Sequence, residues 1–323
     1  MRRSLLRLLW FVLLAALLYW ALKNAPLAEI WSTLRQLRLW QIALLLFINS
    51  FVIIFMTARW WIIVRAANPS VPFWPLVGYR LAVFGLSYFT PGPQVGGEPL
   101  QALYLQRNHG LSFARAVSAV IMDKLLELLV NFILLGVGVW AIIRVGLIPN
   151  DGIRLGLSLS GLAVVLAWPV VHILLMYNGF HPISAILRGQ PFIPKTNKAI
   201  RLIVVSEWMA ATFCRRHLRA MWLGIGVSIL ALAGIAAEYF LALDFLGIRI
   251  NGLQIFAALT ALQLAFLMPL PGGLGALEAS QVFALGAFGV SAASAIGVTL
   301  LMRARDLLIG GLGLLLAGRG VKR

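Results

Sequence analysis

Two short stretches of this chain carry the same residue types at the same spacing. Pro91-Gly92-Pro93-Gln94-Val95-Gly96-Gly97-Glu98 reads as Pro-Gly, five residues, Glu. Pro271-Gly272-Gly273-Leu274-Gly275-Ala276-Leu277-Glu278 repeats that pattern in the second half of the chain, and Gln101 and Gln281 extend the match at the same offset. Some way beyond each Glu, still in apolar sequence, stands a basic residue with an acid three positions further on: Lys124 with Glu127, and Arg303 with Asp306. Basic groups and the free amides of a helix N-terminus suit a phosphate. Neighbouring carboxylates suit an amine, a sugar hydroxyl or a coupling proton. The flanking sequence is apolar and suits acyl or prenyl chains. An amphipathic, phosphate-bearing lipid uses all three properties, whereas a small soluble anion uses only the first.

The elements that hold these residues must lie in a membrane. The chain has 323 residues, of which 61% are hydrophobic and 11% charged, and its mean hydropathy is +0.94. A soluble domain of that composition would leave too much apolar surface in water. Several runs reach the roughly 20 apolar residues that cross a bilayer, and the alternation of a barrel strand is absent. The net charge of +17 comes from 27 Lys and Arg against 10 Asp and Glu. In such a chain basic residues flank the spans on the cytoplasmic side and meet anionic headgroups, so no nucleic-acid partner is expected. The single cysteine, Cys214, excludes an internal disulfide, and the four scattered histidines lack metal-ligand spacing. No cofactor and no metal is expected.

Met1-Arg2-Arg3 leads into an apolar run over 5–22, read as a retained first span, and residues 28–40 suggest a short interfacial helix. Further apolar segments are expected at 40–64, 72–90, 116–143, 153–177, 220–246, 253–268 and 292–316, with short helices following the two Pro-Gly motifs. Residues 178–219 form the long polar region, with seven Lys or Arg and one acid, Glu207, and read as a basic cytoplasmic surface segment. The positive-inside rule puts both termini in the cytoplasm. Segments 40–64, 72–90, 94–108 and 116–143 then run out-in, in-out, out-in, in-out, while 220–246, 253–268, 272–288 and 292–316 run the opposite way. The expected fold is an all-α polytopic membrane protein. It is a single integral domain of two inverted-topology repeats, 1–150 and 151–323, with paired Pro/Gly-broken re-entrant or short helices.

Broken backbone survives in lipid only where protein or trapped water satisfies the freed amides and carbonyls, and paired breaks in matching halves point to a binding site. The helix-break set is Pro91, Gly92, Gly96, Gly97, Pro271, Gly272, Gly273 and Gly275. The candidate substrate- or ion-binding set is Glu98, Lys124, Glu127, Glu278, Arg303 and Asp306. Left unpaired at bilayer depth, those six charges would cost on the order of 15 kcal/mol, so they are expected to pair or to line a wet cavity. Lys124 with Glu127 and Arg303 with Asp306 have the spacing to pair along their own helices. Glu98 and Glu278 sit in first helical turns, where the dipole favours a carboxylate. They can also reach Lys124 and Arg303. Asp123, Arg305, Arg59, Arg80, Glu238 and Asp244 are not selected by the repeat and read as supporting or interface charges.

These motifs resemble the lysylphosphatidylglycerol synthase transmembrane-region family, most specifically through Pro269-Leu270-Pro271-Gly272-Gly273-Leu274-Gly275-Ala276-Leu277-Glu278. The resemblance covers nearly the whole chain. It implies an inner-membrane protein that moves a lipid between leaflets. A separate soluble domain makes the aminoacylated lipid in full-length synthases, and none is read after Arg323. The family pattern has an Arg soon after the first Pro-Gly and another soon after its Glu, where this chain has Pro93-Gln94 and Gln101. The resulting expectation is a flippase for a phosphate-bearing anionic or zwitterionic lipid, not an enzyme. The alternatives are a membrane enzyme acting on a lipid phosphate or lipid-linked sugar, and a non-catalytic accessory of a lipid-biosynthesis enzyme. Homo-oligomerisation and a lipid-biosynthesis partner stay open.

Overall fold

The computed structural model describes residues 27–89, 97–146, 163, 167–189, 198–266, 268 and 273–320. The described residues are helical and contain no strand. In order the helices are α1 (Leu27–Leu34), α2 (Leu39–Ala67), α3 (Phe73–Phe89), α4 (Glu98–His109) and α5 (Phe113–Val145). They continue with α6 (Ala167–Tyr177), α7 (Pro182–Gly189), α8 (Lys198–Arg216), α9 (Leu218–Phe245), α10 (Gly252–Phe266), α11 (Ala276–Gly286) and α12 (Ala292–Gly320). The expected first span at 5–22 and most of 153–166 lie outside the described residues.

Among the described residues three helices, α2, α5 and α9, are long and apolar enough to cross a membrane. Their ends have local causes. Ser112 caps α5 by accepting from the Arg115 amide at 3.4 Å, and Gly146 closes it at φ 78, a left-handed conformation that glycine adopts without strain. At 1.5 Å per residue α3 and α10 span only about 26 and 22 Å, and α4 and α11 less still. These four are the short elements around the two motifs. Large side chains such as Phe47, Ile133, Trp222, Phe283 and Leu315 point outward and stay exposed, as a lipid-facing surface requires.

Long helix α2 packs along α9. Short helix α3 packs on α12, and short helix α10 packs on α5. Helix α4 lies against α5, and α11 against α12. Both crossings of a short helix with a long one are made at small residues. A Cβ on Gly85 would come within 2.5 Å of the Gly310 carbonyl oxygen, and one on Gly313 within 2.0 Å of the Leu81 carbonyl oxygen. At the other crossing a Cβ on Gly138 would meet Thr260 Oγ1 at 1.5 Å. These close backbones are the packing that helices use in lipid, where apolar burial offers no preference for protein over tail.

Two segments read from the sequence as interfacial or surface elements also pack into the bundle. Residues 28–40 are not simply laid on the interface: α1 packs against α12, and Leu34 and Leu37 join a cluster with Leu45, Ala242 and Leu301. The basic segment 178–219 is not only a surface. Its helix α8 docks on α5 and buries Ala210, Ala211 and Cys214 completely. Glu207, itself buried, accepts from the amides of Ile183 and Ser184 at 2.8 and 2.7 Å and from the Ser184 hydroxyl, fixing the start of α7. That carboxylate satisfies the free amides of a helix N-terminus and carries the charge sign the helix dipole favours there.

Candidate functional site

The first site assembles where α2, α3, α4 and α5 meet. Gly97 precedes α4, and its amide donates to Ser87 Oγ at 2.9 Å. A Cβ at Gly97 would lie 2.6 Å from the Val83 carbonyl oxygen, so only glycine lets α4 start this close to α3. That start sets Glu98 against α5, with Oε1 3.2 Å from Lys124 Nζ. Lys124 also reaches Glu127 at 2.9 Å. Deeper in, Arg59 holds Asp123 at 2.6 Å and Glu127 at 2.7 Å, and Arg80 holds Asp123 at 2.9 Å. The cations Arg59, Arg80 and Lys124 thus face the carboxylates of Glu98, Asp123 and Glu127, graded by depth: the Asp123 side chain is 0% exposed and Lys124 32%. Lys124 is the most accessible cation of the set.

The second site is built in the same way from α9, α11 and α12. Gly273 and Gly275 have φ of 64° and 78°, left-handed values at which a side chain would be strained. The Gly275 amide donates to Glu278 Oε2 at 3.0 Å. Arg303 clamps Glu278 with two nitrogens at 2.5 and 2.9 Å, a fork geometry, and its Nη2 also donates to the Gly273 carbonyl at 3.3 Å. Beside this pair Arg305 bridges Glu238 at 2.6 Å and Asp306 at 2.7 Å. A cavity of about 110 Å³ opens between α1, α2, α9 and α12, with Glu238 and Arg305 in an otherwise apolar wall of leucines including Leu45 and Leu308.

The expected residues therefore assemble as two sets. Glu98, Lys124 and Glu127 form one, and Glu278 and Arg303 belong to the other. Of the two partners that spacing left open to Arg303, the structure shows Glu278, and Asp306 is held by its neighbour Arg305. The break residues Pro91, Gly92, Gly96, Pro271 and Gly272 lie outside the described residues.

The repeat also holds more than the two motifs. Arg59 and Glu238 stand at the same sequence offset that relates Lys124 to Arg303 and Glu127 to Asp306. Arg59 of α2 bonds α5 and donates to Ser228 of α9 at 3.4 Å. Glu238 of α9 bonds α12 and accepts from Asn49 of α2 at 3.0 Å. Asn49 and Ser228 are themselves related by that offset. Arg59, Arg80, Asp123, Glu238 and Arg305 are thus part of the networks and not peripheral charges. The offset could have found Arg59 and Glu238, but the two carry opposite charge, so a search for identical residues passes over them. Among the described residues no group of His, Cys, Asp and Glu is placed to hold a metal ion.

Long apolar helices, short helices at glycine breaks and buried ion networks define a polytopic helical membrane protein. The family described as the lysylphosphatidylglycerol synthase TM region matches residues 7–313, and the chain belongs to it. The UPF0104 membrane protein PH1989 of Pyrococcus horikoshii is 25% identical over 321 residues, covering 94% of this chain and 92% of that one. No solved structure matches.

Proposed function

We propose that the protein is a lipid transporter of the inner membrane that moves a phosphate-bearing lipid or lipid-linked solute between leaflets, with both termini in the cytoplasm. The observation that carries this reading is the duplicated arrangement of a first-turn glutamate on a short helix, Glu98 or Glu278, paired with a cation on the following long helix, Lys124 or Arg303. A single buried ion pair is commonly structural. Two matching pairs, each beside a glycine-permitted break, are the pattern of a carrier built from inverted repeats. The helix contacts support such a duplication, because α3 on α12 mirrors α10 on α5, and α4 on α5 mirrors α11 on α12.

In this reading a headgroup phosphate competes with the carboxylates for Lys124 and Arg303. The carboxylates hold the cations ready at bilayer depth and release them when the phosphate arrives, so that a naked charge is never left in hydrocarbon. Acyl or prenyl chains stay along the apolar outer faces and in the leucine-lined cavity. The partners are anionic or zwitterionic membrane lipids.

The test is lipid movement by purified protein in liposomes, with headgroup-labelled phospholipids and polyprenyl phosphates, against Arg303→Ala. Headgroup-selective movement that is lost in Arg303→Ala is expected. Absence of movement with every lipid, in well-folded protein, would refute the reading.

A further inference from the structure

The two ion networks differ in charge balance. In the first, the cations Arg59, Arg80 and Lys124 meet the carboxylates of Glu98, Asp123 and Glu127, and the charges cancel. In the second, Arg303 and Arg305 meet Glu238, Glu278 and Asp306, and one carboxylate is left over. The sequence shows how the balance is lost. At the offset that relates Lys124 to Arg303, Arg59 corresponds to Glu238, Arg80 to Leu259, Asp123 to Met302 and Leu126 to Arg305. The second half gives up two cations and one acid, and gains one of each.

The excess falls on a triad. Arg303 is matched by Glu278, which it clamps with two nitrogens. Arg305 serves two acids, Glu238 at 2.6 Å through Nη1 and Asp306 at 2.7 Å through Nη2. Both acids are buried and the Arg305 side chain is largely so. The bonds from Arg305 to Asp306 fall on Oδ1. The facing groups do not restore the balance among the described residues. From α3 comes the Tyr88 phenol, which lies beside Asp306 and bonds Arg303, while Arg80 of that helix is held by Asp123. Helix α9 adds Tyr239, whose hydroxyl is spent on Gln281, and α11 adds only Glu278. Helix α2 adds the neutral Asn49, its Arg59 being turned to α5, and the described side chains of α1 carry no charge. A charge left uncompensated in an apolar interior is neutralised by exchanging a proton. Water can reach this one: the cavity of about 110 Å³ is lined by Glu238 and Arg305, polar partners that a water there requires.

We propose that Glu238, Arg305 and Asp306 form a proton site, with one proton held on Asp306 Oδ2 in the resting protein. The inference rests on the lipid-transport reading and deepens it by naming the coupled ion and the half that carries it. The proton adds to the carboxylate from water in the cavity and returns to water on release, and no other bond changes. With the proton in place the triad is neutral. Arg303 can then exchange Glu278 for a headgroup phosphate without adding to a negative charge already there. With the proton gone the triad repels that phosphate, so lipid and proton load together and leave together. The first network has no excess charge to neutralise and takes no proton. A sodium ion would bring the same charge, but it needs a shell of oxygens. Those of Glu238, and Oδ1 of Asp306, are already engaged by Arg305 and Asn49.

The test is infrared difference spectroscopy of the full-length protein in detergent, which reads the carbonyl stretch of a protonated carboxyl group directly and needs no lipid. At neutral pH the wild-type protein should show that band, shifted in heavy water and lost at alkaline pH. Asp306→Asn and Glu238→Gln should each abolish it, because either leaves Arg305 with a single acid and nothing to neutralise. Asp306→Asn keeps the shape and neutrality of the protonated acid and should melt close to wild type. Glu98→Gln, in the balanced network, should keep the band. No band in the wild-type protein, or a band that survives Asp306→Asn, would overturn the inference and leave lipid transport standing. A band removed by sodium chloride but not by choline chloride at the same pH would give the position to sodium and overturn it equally. A band that behaves as expected in a protein that moves no lipid would leave the proton site and count against the transport reading alone.

Discussion

Asp123 joins two guanidinium groups from different helices, Arg59 at 2.6 Å and Arg80 at 2.9 Å, with no exposure of its own side chain. Removing one partner of such a set leaves the others charged and buried. Asp123→Asn should therefore destabilise the fold by about 3–5 kcal/mol, seen as a lower melting temperature in detergent. Glu98 and Glu278 are different. Each lies near the surface of its network, with side chains 15% and 24% exposed. Glu98→Gln and Glu278→Gln should each impair lipid transport in liposomes while melting close to wild type. Full transport by both variants would remove these residues from the mechanism. Depth, and not charge alone, separates the two groups. Sequence spacing selected Glu98 and Lys124, but it carries no measure of depth, and so it left Asp123, Arg59 and Arg80 as supporting charges.

Among the elements, the short helices are the ones whose placement decides the sites. Helix α3 carries Arg80 to the first network and Ser87 to the Gly97 amide, and its position depends on backbone contact with α12 at Gly85 and Gly313. Gly313→Leu puts a branched side chain where the Leu81 carbonyl stands 2.0 Å from the Cβ position, and neither backbone can give way without moving its helix. Such overpacking costs about 1–3 kcal/mol. The expected outcome is a lower melting temperature together with reduced transport, because α3 is pushed off α12. Gly311→Leu is the control: the space at its Cβ position is open, so the same substitution close by on α12 should leave melting unchanged. The glycines were legible in the sequence as breaks and small contacts. Which glycine faces which helix was not, because a single glycine carries no direction.

For the whole molecule, the proposed inverted arrangement of the two halves makes a prediction that needs no lipid assay. Ser70 connects α2 to α3 and Asn251 connects α9 to α10, corresponding places in the two halves, and both are exposed. Ser70→Cys and Asn251→Cys should react with a membrane-impermeant thiol reagent from opposite faces, the first from the cytoplasmic side and the second from the outside. The native Cys214 should not interfere. It is fully buried on α8, and burial pushes its thiol up to about 11, so it stays protonated and unreactive near neutral pH. Labelling of both cysteines from the same face would rule out the inverted arrangement.

Composition and motif spacing by themselves determined that this chain is a helical membrane protein, that Glu98 and Glu278 stand in matching motifs, and that a basic residue follows each. Those conclusions need only hydropathy, span length and a repeat that is visible in identical residues. The tertiary structure decided the pairing. Arg303 turns to Glu278 while Arg305 takes Asp306, since α11 lies across α12 and competes with the neighbours along the helix. It also drew Arg59 and Glu238, which share the sequence offset but carry opposite charge, into the two ion networks. Gln101 and Gln281 look alike in the sequence. Only packing distinguishes them: the Tyr239 hydroxyl and the Ala258 carbonyl meet the Gln281 amide, while the buried Gln101 amide meets no hydrogen-bond partner.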